Sequence, residues 1–200
     1  VEDPSPFGIV GLSTSTDGDV DGELREGFIR KFKEKPTPEE AFSNVINAGL
    51  YILEPEVMAL VPEGEKYDFS KNLFPRLLEM GWPMYAKAIN GVWFDVGSPN
   101  ELIRAQHVLI EQRNNLPFPM PDGSVDGNGS FVSNTAHLGS DVELHKSIVA
   151  SDCSVGSKSS LHETVLMQGA SVGLNGSLSG CILSPGSIVE DNVSASNLVL

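Results

Sequence analysis

Three clusters of side chains in this chain have the types and spacing that chemistry can use. The first is Asp95, in the run Trp93-Phe94-Asp95-Val96-Gly97-Ser98. It is expected to end a strand just before a helix begins, and open α/β sheets bind their ligands at such strand ends. A carboxylate there suits a hard divalent cation, which also bridges phosphates. It equally suits a plain hydrogen-bond acceptor for the first N–H groups of the helix, and position alone leaves both readings open. The second cluster is Glu34-Lys35-Pro36, after the strand-like Phe28–Phe32. An adjacent acid and base fit a substrate carrying hydroxyls and a phosphate, the ammonium neutralising the phosphate; such a triplet also fits a solvated turn. The third is Asn47-Ala48-Gly49, inside the apolar run Val45–Leu53. A polar amide in a buried strand needs partners, either backbone or a bound molecule, and a glycine beside it lets a group approach the backbone closely. No Gly-rich phosphate loop and no nucleophile elbow occurs in the sequence.

Composition narrows the classes of partner. Lys plus Arg number 13 against 27 Asp plus Glu, a net charge of -14. That balance argues against a nucleic-acid backbone as partner, which calls for clustered positive charge. No apolar run approaches the roughly 18 residues of a membrane span. The first ten residues carry neither a basic region nor an apolar one, so no secretory leader is expected. Cys153 and Cys181 have no metal-ligand spacing, and a reducing, cytoplasmic compartment is expected.

The elements that must position the three clusters lie in the first half, which reads as α/β. The apolar run in Ala41–Leu53 predicts a buried strand. Glu54–Val61 predicts a short helix with Pro55 in its first turn. Ser70–Met80 predicts a helix with Leu73, Leu77 and Leu78 on one face, kinked or starting late at Pro75. Asn90-Gly91 between Met84–Ile89 and Val92–Val96 predicts a hairpin. Ser98 as N-cap, Pro99 in the first helical position and Glu101 closing a capping box predict a helix. Its apolar face is expected to run through Leu102, Ala105, Leu109 and Gln112.

Near residue 120 the composition changes. Residues 1–120 hold 13 of the 14 aromatics, and residues 121–200 hold 17 Ser and 10 Gly. That stretch is not a linker, because it repeats every 17 residues. One apolar column is Leu138, Val155, Val172, Val189. A second is Leu144, Leu161, Leu178, Ala195. A third is Val149, Leu166, Leu183, Leu200, each preceded by another apolar residue and foreshadowed by Val132. Three inward positions per period predict a three-sided coil with Gly, Asn and Ser at the corners, stacked because no coil can bury its column alone. His145 and His162 are one period apart and should stack on the outer surface.

The order of these motifs resembles the sugar-1-phosphate nucleotidyltransferases that make nucleotide-sugars. The matching residues are Asp3–Val10, Glu34-Lys35-Pro36, Asn47–Tyr51, Asp68-Phe69, Leu73-Phe74-Pro75 and Trp93–Pro99, followed by a repeat like the family's left-handed parallel β-helix. The resemblance implies that residues 1–118 are the sugar-phosphate side of a Rossmann-like nucleotidyltransferase domain and that 119–200 are the β-helix. It implies that Asp95 is one of two carboxylates holding Mg²⁺, that Lys35 contacts the sugar phosphate and Glu34 the sugar hydroxyls, and that Asn47 and Gly8 meet further sugar atoms. Ser98 stands where the family has Thr. The implied reaction is attack of a sugar-1-phosphate on the α-phosphorus of a nucleoside triphosphate, releasing pyrophosphate. The family's Gly-rich triphosphate loop and its second metal carboxylate are not in these 200 residues. The chain therefore reads as a fragment, beginning mid-fold and stopping mid-coil, inactive alone and part of a homo-oligomer.

Two other classes compete. A hexapeptide-repeat acyltransferase would use a histidine between coils as base, with loops inserted between the coils. The strict period leaves no room for such loops. A non-catalytic nucleotidyltransferase-like regulatory subunit would bind sugar phosphate or a catalytic partner, and the retained Glu34, Lys35, Asn47 and Asp95 argue against it.

Overall fold

A computed structural model describes residues 1–200 and divides them into two compact units, Val1–Trp93 and Phe94–Leu200. No helix is long and apolar enough to cross a membrane.

In the first unit a three-stranded sheet is built from β1 (Gly8–Ser13), β2 (Glu26–Glu34) and β3 (Tyr85–Lys87), antiparallel and in that order. All six residues of β1 are buried, as its small and apolar sequence requires. The predicted strand within 41–53 does not form. Only its beginning bridges the free edge of β1, with Ile46 opposite Ile9, Val10 N donating to Val45 O and Asn47 N donating to Gly8 O. Pairing stops there because the Asn47 side chain accepts from Gly49 N and turns the chain away, leaving Leu50 78% and Ile52 101% exposed.

The helices of this unit follow their signals. Helix α1 (Pro55–Met58) starts at its proline. A π turn over Phe69–Leu73, capped by Asp68 accepting from Lys71 N, runs into α2 (Phe74–Glu79), which places Pro75 in its first turn. Leu73, Phe74 and Leu77 form the core, with Phe32, Leu53 and Met84 packed around them. The predicted Asn90-Gly91 hairpin is absent. Of the two turn residues only Gly91 has positive φ, and β3 pairs with β2 instead, Tyr85 opposite Phe28 and Lys87 opposite Glu26. Val92–Val96 is irregular, so Asp95 does not end a strand.

The second unit opens with α3 (Pro99–Glu111), whose first turn is capped by Ser98 Oγ accepting from Glu101 N. Glu101 does not close the expected box; its carboxylate pairs with Arg104 at 3.4 Å, one turn along. The buried face is Ile103, Ala105 and Ile110, with Leu102 at its margin and Leu109 exposed. The face is shifted because α3 lays Ile103 and Ile110 against Phe131, Ile148, Val165 and Ile182. Helix α3 thus packs with the second unit, although the composition changes only near residue 120.

The remainder is a β-solenoid. Its strands are β4 (Gly123–Val125), β5 (Phe131–Ser133), β6 (His137–Leu138), β7 (Glu143–His145), β8 (Ile148–Val149), β9 (Ser154–Val155) and β10 (Ser160–His162). They continue as β11 (Val165–Leu166), β12 (Ser171–Val172), β13 (Ser177–Ser179), β14 (Ile182–Leu183), β15 (Ile188–Val189) and β16 (Ser194–Ser196). They form three sheets, β6-β9-β12-β15, β7-β10-β13-β16 and β4-β5-β8-β11-β14. All pairings are parallel except β4 with β5. Each parallel pairing joins residues 17 apart, as in Leu144–Leu161–Leu178–Ala195 and Val132–Val149–Leu166–Leu183. The three columns read from the sequence line the interior, where Leu161, Leu166 and Leu183 are almost wholly shielded, except at their ends, where Leu138 and Leu200 are exposed. Burying each contributes about 2 kcal/mol relative to exposure.

Two further columns hold the coils together. At the corners, left-handed backbone recurs with the period: Asp141, Lys158, Asn175 and Asn192 at one, Lys146, Glu163, Gly180 and Asn197 at the next, Asp152, Gly169 and Gly186 at the third. Beside the second corner runs a buried hydroxyl ladder. Ser147 N donates to Ser130 Oγ, Thr164 N to Ser147 Oγ and Cys181 N to Thr164 Oγ1, so each coil satisfies an amide of the one above. Gly156 lies where the coils touch: a Cβ there would meet the Gly173 backbone at 2.5 Å.

Candidate functional site

Four of the five residues singled out by sequence meet at the start of β1, within the first unit. A turn closed by Phe7 N donating to Pro4 O at 3.0 Å delivers the chain into Gly8. On one side Gly8 pairs with Glu34, the last residue of β2. The next residue, Lys35, has φ 46° and donates its N–H to Phe7 O at 2.9 Å. Pro36, buried and without an N–H, ends the ladder. On the other side Asn47 N donates to Gly8 O at 2.8 Å. Gly8 is therefore flanked by an acid and a base from one neighbour and an amide from the other, all on one end of a buried strand.

The charges at this point are uncommitted. The three ion pairs of the chain are Lys33–Glu40, Lys87–Glu26 and Arg104–Glu101, and neither Glu34 nor Lys35 takes part. Lys35 is exposed and Glu34 half-buried. Of the four lysines and arginines on Phe28–Lys35, Lys33 is held by Glu40, Lys31 lies over the Phe42 ring at 4.4 Å and Arg30 donates to Thr16 O. A free ammonium beside a free carboxylate can meet an anion and a hydroxyl of one small molecule.

Aromatic residues wall this end. Phe7 and Trp93 meet edge to face at 5.5 Å between ring centres, and Trp93 Nε1 donates to Ala48 O at 3.1 Å. Tyr51 packs edge-on against Phe74 at 5.0 Å, and its hydroxyl reaches the Asn47 amide. Ser70 accepts from the same amide. Residue spacing assigns no role to Phe7, Trp93, Tyr51 or Ser70. The partners lie 4, 23, 45 and 86 residues apart, and only the Asn47–Tyr51 spacing is local.

Asp95 belongs to the second unit, in the exposed segment that leads into α3. The helix N-terminus is capped by Ser98, which leaves the Asp95 carboxylate free of that duty. No group of three or more His, Cys, Asp or Glu in the chain could hold a metal ion. Asp95 can supply one carboxylate oxygen to a cation that takes its other ligands from phosphates and water, as Mg²⁺ commonly does.

The histidines are placed as the repeat predicts. His145 and His162 stack with ring centres 4.6 Å apart and planes 2° from parallel, on the outer face of β7 and β10. A groove of about 520 Å³ runs over Ser154, Ser171, Gly173, Ile188 and Glu190 on the solenoid and is lined by none of the candidate residues.

Two family descriptions match the chain. The family described as nucleotidyl transferase matches residues 1–112, and a GlmU-like C-terminal hexapeptide family matches residues 122–196. A UTP–glucose-1-phosphate uridylyltransferase of Synechocystis is 42% identical over 94 residues, 46% of this chain and 24% of that protein. A probable mannose-1-phosphate guanylyltransferase of Arabidopsis thaliana is 29% identical over 140 residues, 70% of this chain and 35% of that protein. A glucose-1-phosphate adenylyltransferase of Clostridium novyi is 33% identical over 122 residues, 58% of this chain and 28% of that protein. The chain thus spans between a quarter and about a third of the length of these relatives.

Proposed function

Since this chain belongs to the nucleotidyl transferase family, we propose that the cluster around Gly8 binds the sugar-1-phosphate of a nucleotidyl transfer from a nucleoside triphosphate. The observation that carries this is the free acid and base, Glu34 and Lys35, at the end of β2 beside Gly8. Lys35 neutralises the phosphate, and Glu34, whose carboxylate lies against Gly8, accepts from sugar hydroxyls. Asn47 closes the opposite edge. Attack on the α-phosphorus is faster when the phosphate oxygen is held in line with its target, and holding it so is the work of these residues.

Asp95 provides one ligand to a Mg²⁺ ion in this reading. When bound, such an ion neutralises charge developing on the transferred phosphoryl group. The second carboxylate and the triphosphate loop do not occur in these residues, so the chain alone is expected to bind sugar phosphate without turning it over. Glucose-1-phosphate and mannose-1-phosphate, named in the relatives, are the sugar phosphates this reading offers.

The division of labour follows residues 1–118 for chemistry and 119–200 for assembly. Residues 121–200 carry 10 charged side chains, two of them Lys and none Arg, and Ile188 is 73% exposed on an outer face. A sparsely charged solenoid with an outward isoleucine favours association into a homo-oligomer; a mass near 21.4 kDa by light scattering in moderate salt would exclude it. Both thiols are free and buried, which suits a reducing, cytoplasmic setting.

The test of the central reading is calorimetric titration of the chain with glucose-1-phosphate and mannose-1-phosphate. Binding that Lys35→Ala weakens tenfold or more supports it. Equal binding by the variant, or none by the parent chain, overturns it.

A further inference from the structure

The Asn47 side chain has no hydrogen-bonding capacity left for a ligand. Its Nδ2 donates to Tyr51 OH at 2.7 Å and to Ser70 Oγ at 3.2 Å. Its Oδ1 accepts from Tyr51 OH at 2.9 Å and from Gly49 N at 3.1 Å. A carboxamide offers two donors and two acceptor lone pairs, and all four are used. The phenol closes a two-bond ring with the amide, giving and taking one hydrogen bond, while its own ring is fixed against Phe69 and Phe74. The main chain on either side is pinned as well: Asn47 N goes to Gly8 O, and Ala48 O accepts from Trp93 Nε1.

We infer that Asn47, Tyr51 and Ser70 are positioning residues: Tyr51 and Ser70 lock the Asn47 amide, and the locked amide fixes the turn through Ala48-Gly49 against Gly8, so that the edge of the sugar-phosphate site opposite Glu34 is main chain and not the Asn47 side chain. This rests on the sugar-phosphate reading above. To free its amide for a sugar hydroxyl, Asn47 must give up both bonds of the ring with Tyr51, which lie on the exposed side, and the part-buried bond to Ser70, whose lost partner is costly.

Two measurements separate this inference from the reading it rests on. The first needs no ligand. In the ¹⁵N-labelled chain the two Asn47 side-chain amide protons exchange slowly with water, and Tyr51→Phe and Ser70→Ala each shift both signals and speed their exchange at least tenfold. Signals that stay put in Tyr51→Phe overturn the inference. The second is calorimetry with glucose-1-phosphate and its 2-deoxy and 6-deoxy analogues, comparing the parent chain with Asn47→Ala and Tyr51→Phe. A positioning role costs each variant a similar factor, about three- to tenfold, against all three ligands, and the double variant costs little more than either single one. A penalty for Asn47→Ala that disappears with one deoxy analogue identifies a direct bond to the missing hydroxyl and overturns the inference. If the amide signals move as expected but no sugar phosphate binds the parent chain, the sugar-phosphate reading fails and takes the functional role of the network with it.

Discussion

The carboxylate of Glu34 lies over the Cα of Gly8, so that a Cβ on Gly8 would stand 2.6 Å from Glu34 Oε2 and 2.8 Å from Phe32 Cζ. Gly8→Ala must therefore displace the carboxylate, the more mobile of the two. Affinity for sugar-1-phosphate is expected to fall about tenfold, which is about 1.4 kcal/mol. Chemical denaturation should show a loss of about 1–3 kcal/mol from crowding Phe32. A variant that binds as tightly as the parent would place the sugar away from Glu34.

Lys35 holds its backbone at φ 46° to let its N–H reach Phe7 O. A non-glycine residue in that region costs about 1–2 kcal/mol. Lys35→Gly relieves the strain and adds roughly 0.5–1 kcal/mol of unfolded-state entropy to be overcome. The folded chain should be as stable as the parent or slightly more so, while sugar-phosphate affinity drops at least tenfold. Stability and binding moving in opposite directions is the signature of a residue kept for its charge. Thermal melting and calorimetry on the same preparation check it.

Thr164 is wholly buried, and its Oγ1 both donates to His162 O and accepts from Cys181 N. Thr164→Val keeps the shape and strands the Cys181 N–H, at an expected cost of about 1–3 kcal/mol. Thr164→Ser keeps the hydroxyl and should recover most of the loss. Urea titrations of the two variants decide whether the hydroxyl or the volume matters.

Glu26 is held below the usual carboxylate range by its hydrogen bond to Lys87, with a second from Tyr85. A depressed folded-state value means that the stabilisation is present at neutral pH and is lost as acidity carries the group through that value. The stability gap between the parent and Glu26→Gln should be open at pH 7 and close below about pH 4. The same pair raises Lys87, chiefly through the bond to Glu26. That contribution should persist until the pH climbs past roughly 10.5 and then fade. Denaturant midpoints of the two proteins across pH 3–11, on the order of ten points, would show both edges.

The solenoid was legible in the sequence because its signal is repeated. A column such as Leu144–Leu161–Leu178 states its register several times over, and the pairing follows it residue for residue. The first unit offered no repetition. An apolar run at 45–53 could not reveal that Asn47 would turn back on Gly49, and the Asn90-Gly91 signal was overridden when β2 took β3 as its partner. The helix face on α3 was set by Ile148, Val165 and Ile182, residues with no local relation to it. Around Gly8 the order of motifs brought out Glu34, Lys35 and Asn47. The contacts that hold them, Trp93 to Ala48 and Ser70 to Asn47, join positions 45 and 23 residues apart, and no spacing rule reports such pairs.

The left-handed corners make the length of the solenoid come in units. Asp141, Lys158, Asn175 and Asn192 stand one above another, so adding 17 residues raises the stack by one layer of about 4.8 Å and leaves the others undisturbed. One residue added on a flat side between corners turns every later leucine of that side outward, since strand side chains alternate faces. Growth by whole layers and insertion at corners are the two changes of length such a chain can absorb. A duplicated coil is a cheap event for it, and a single-codon slip on a flat side is a ruinous one.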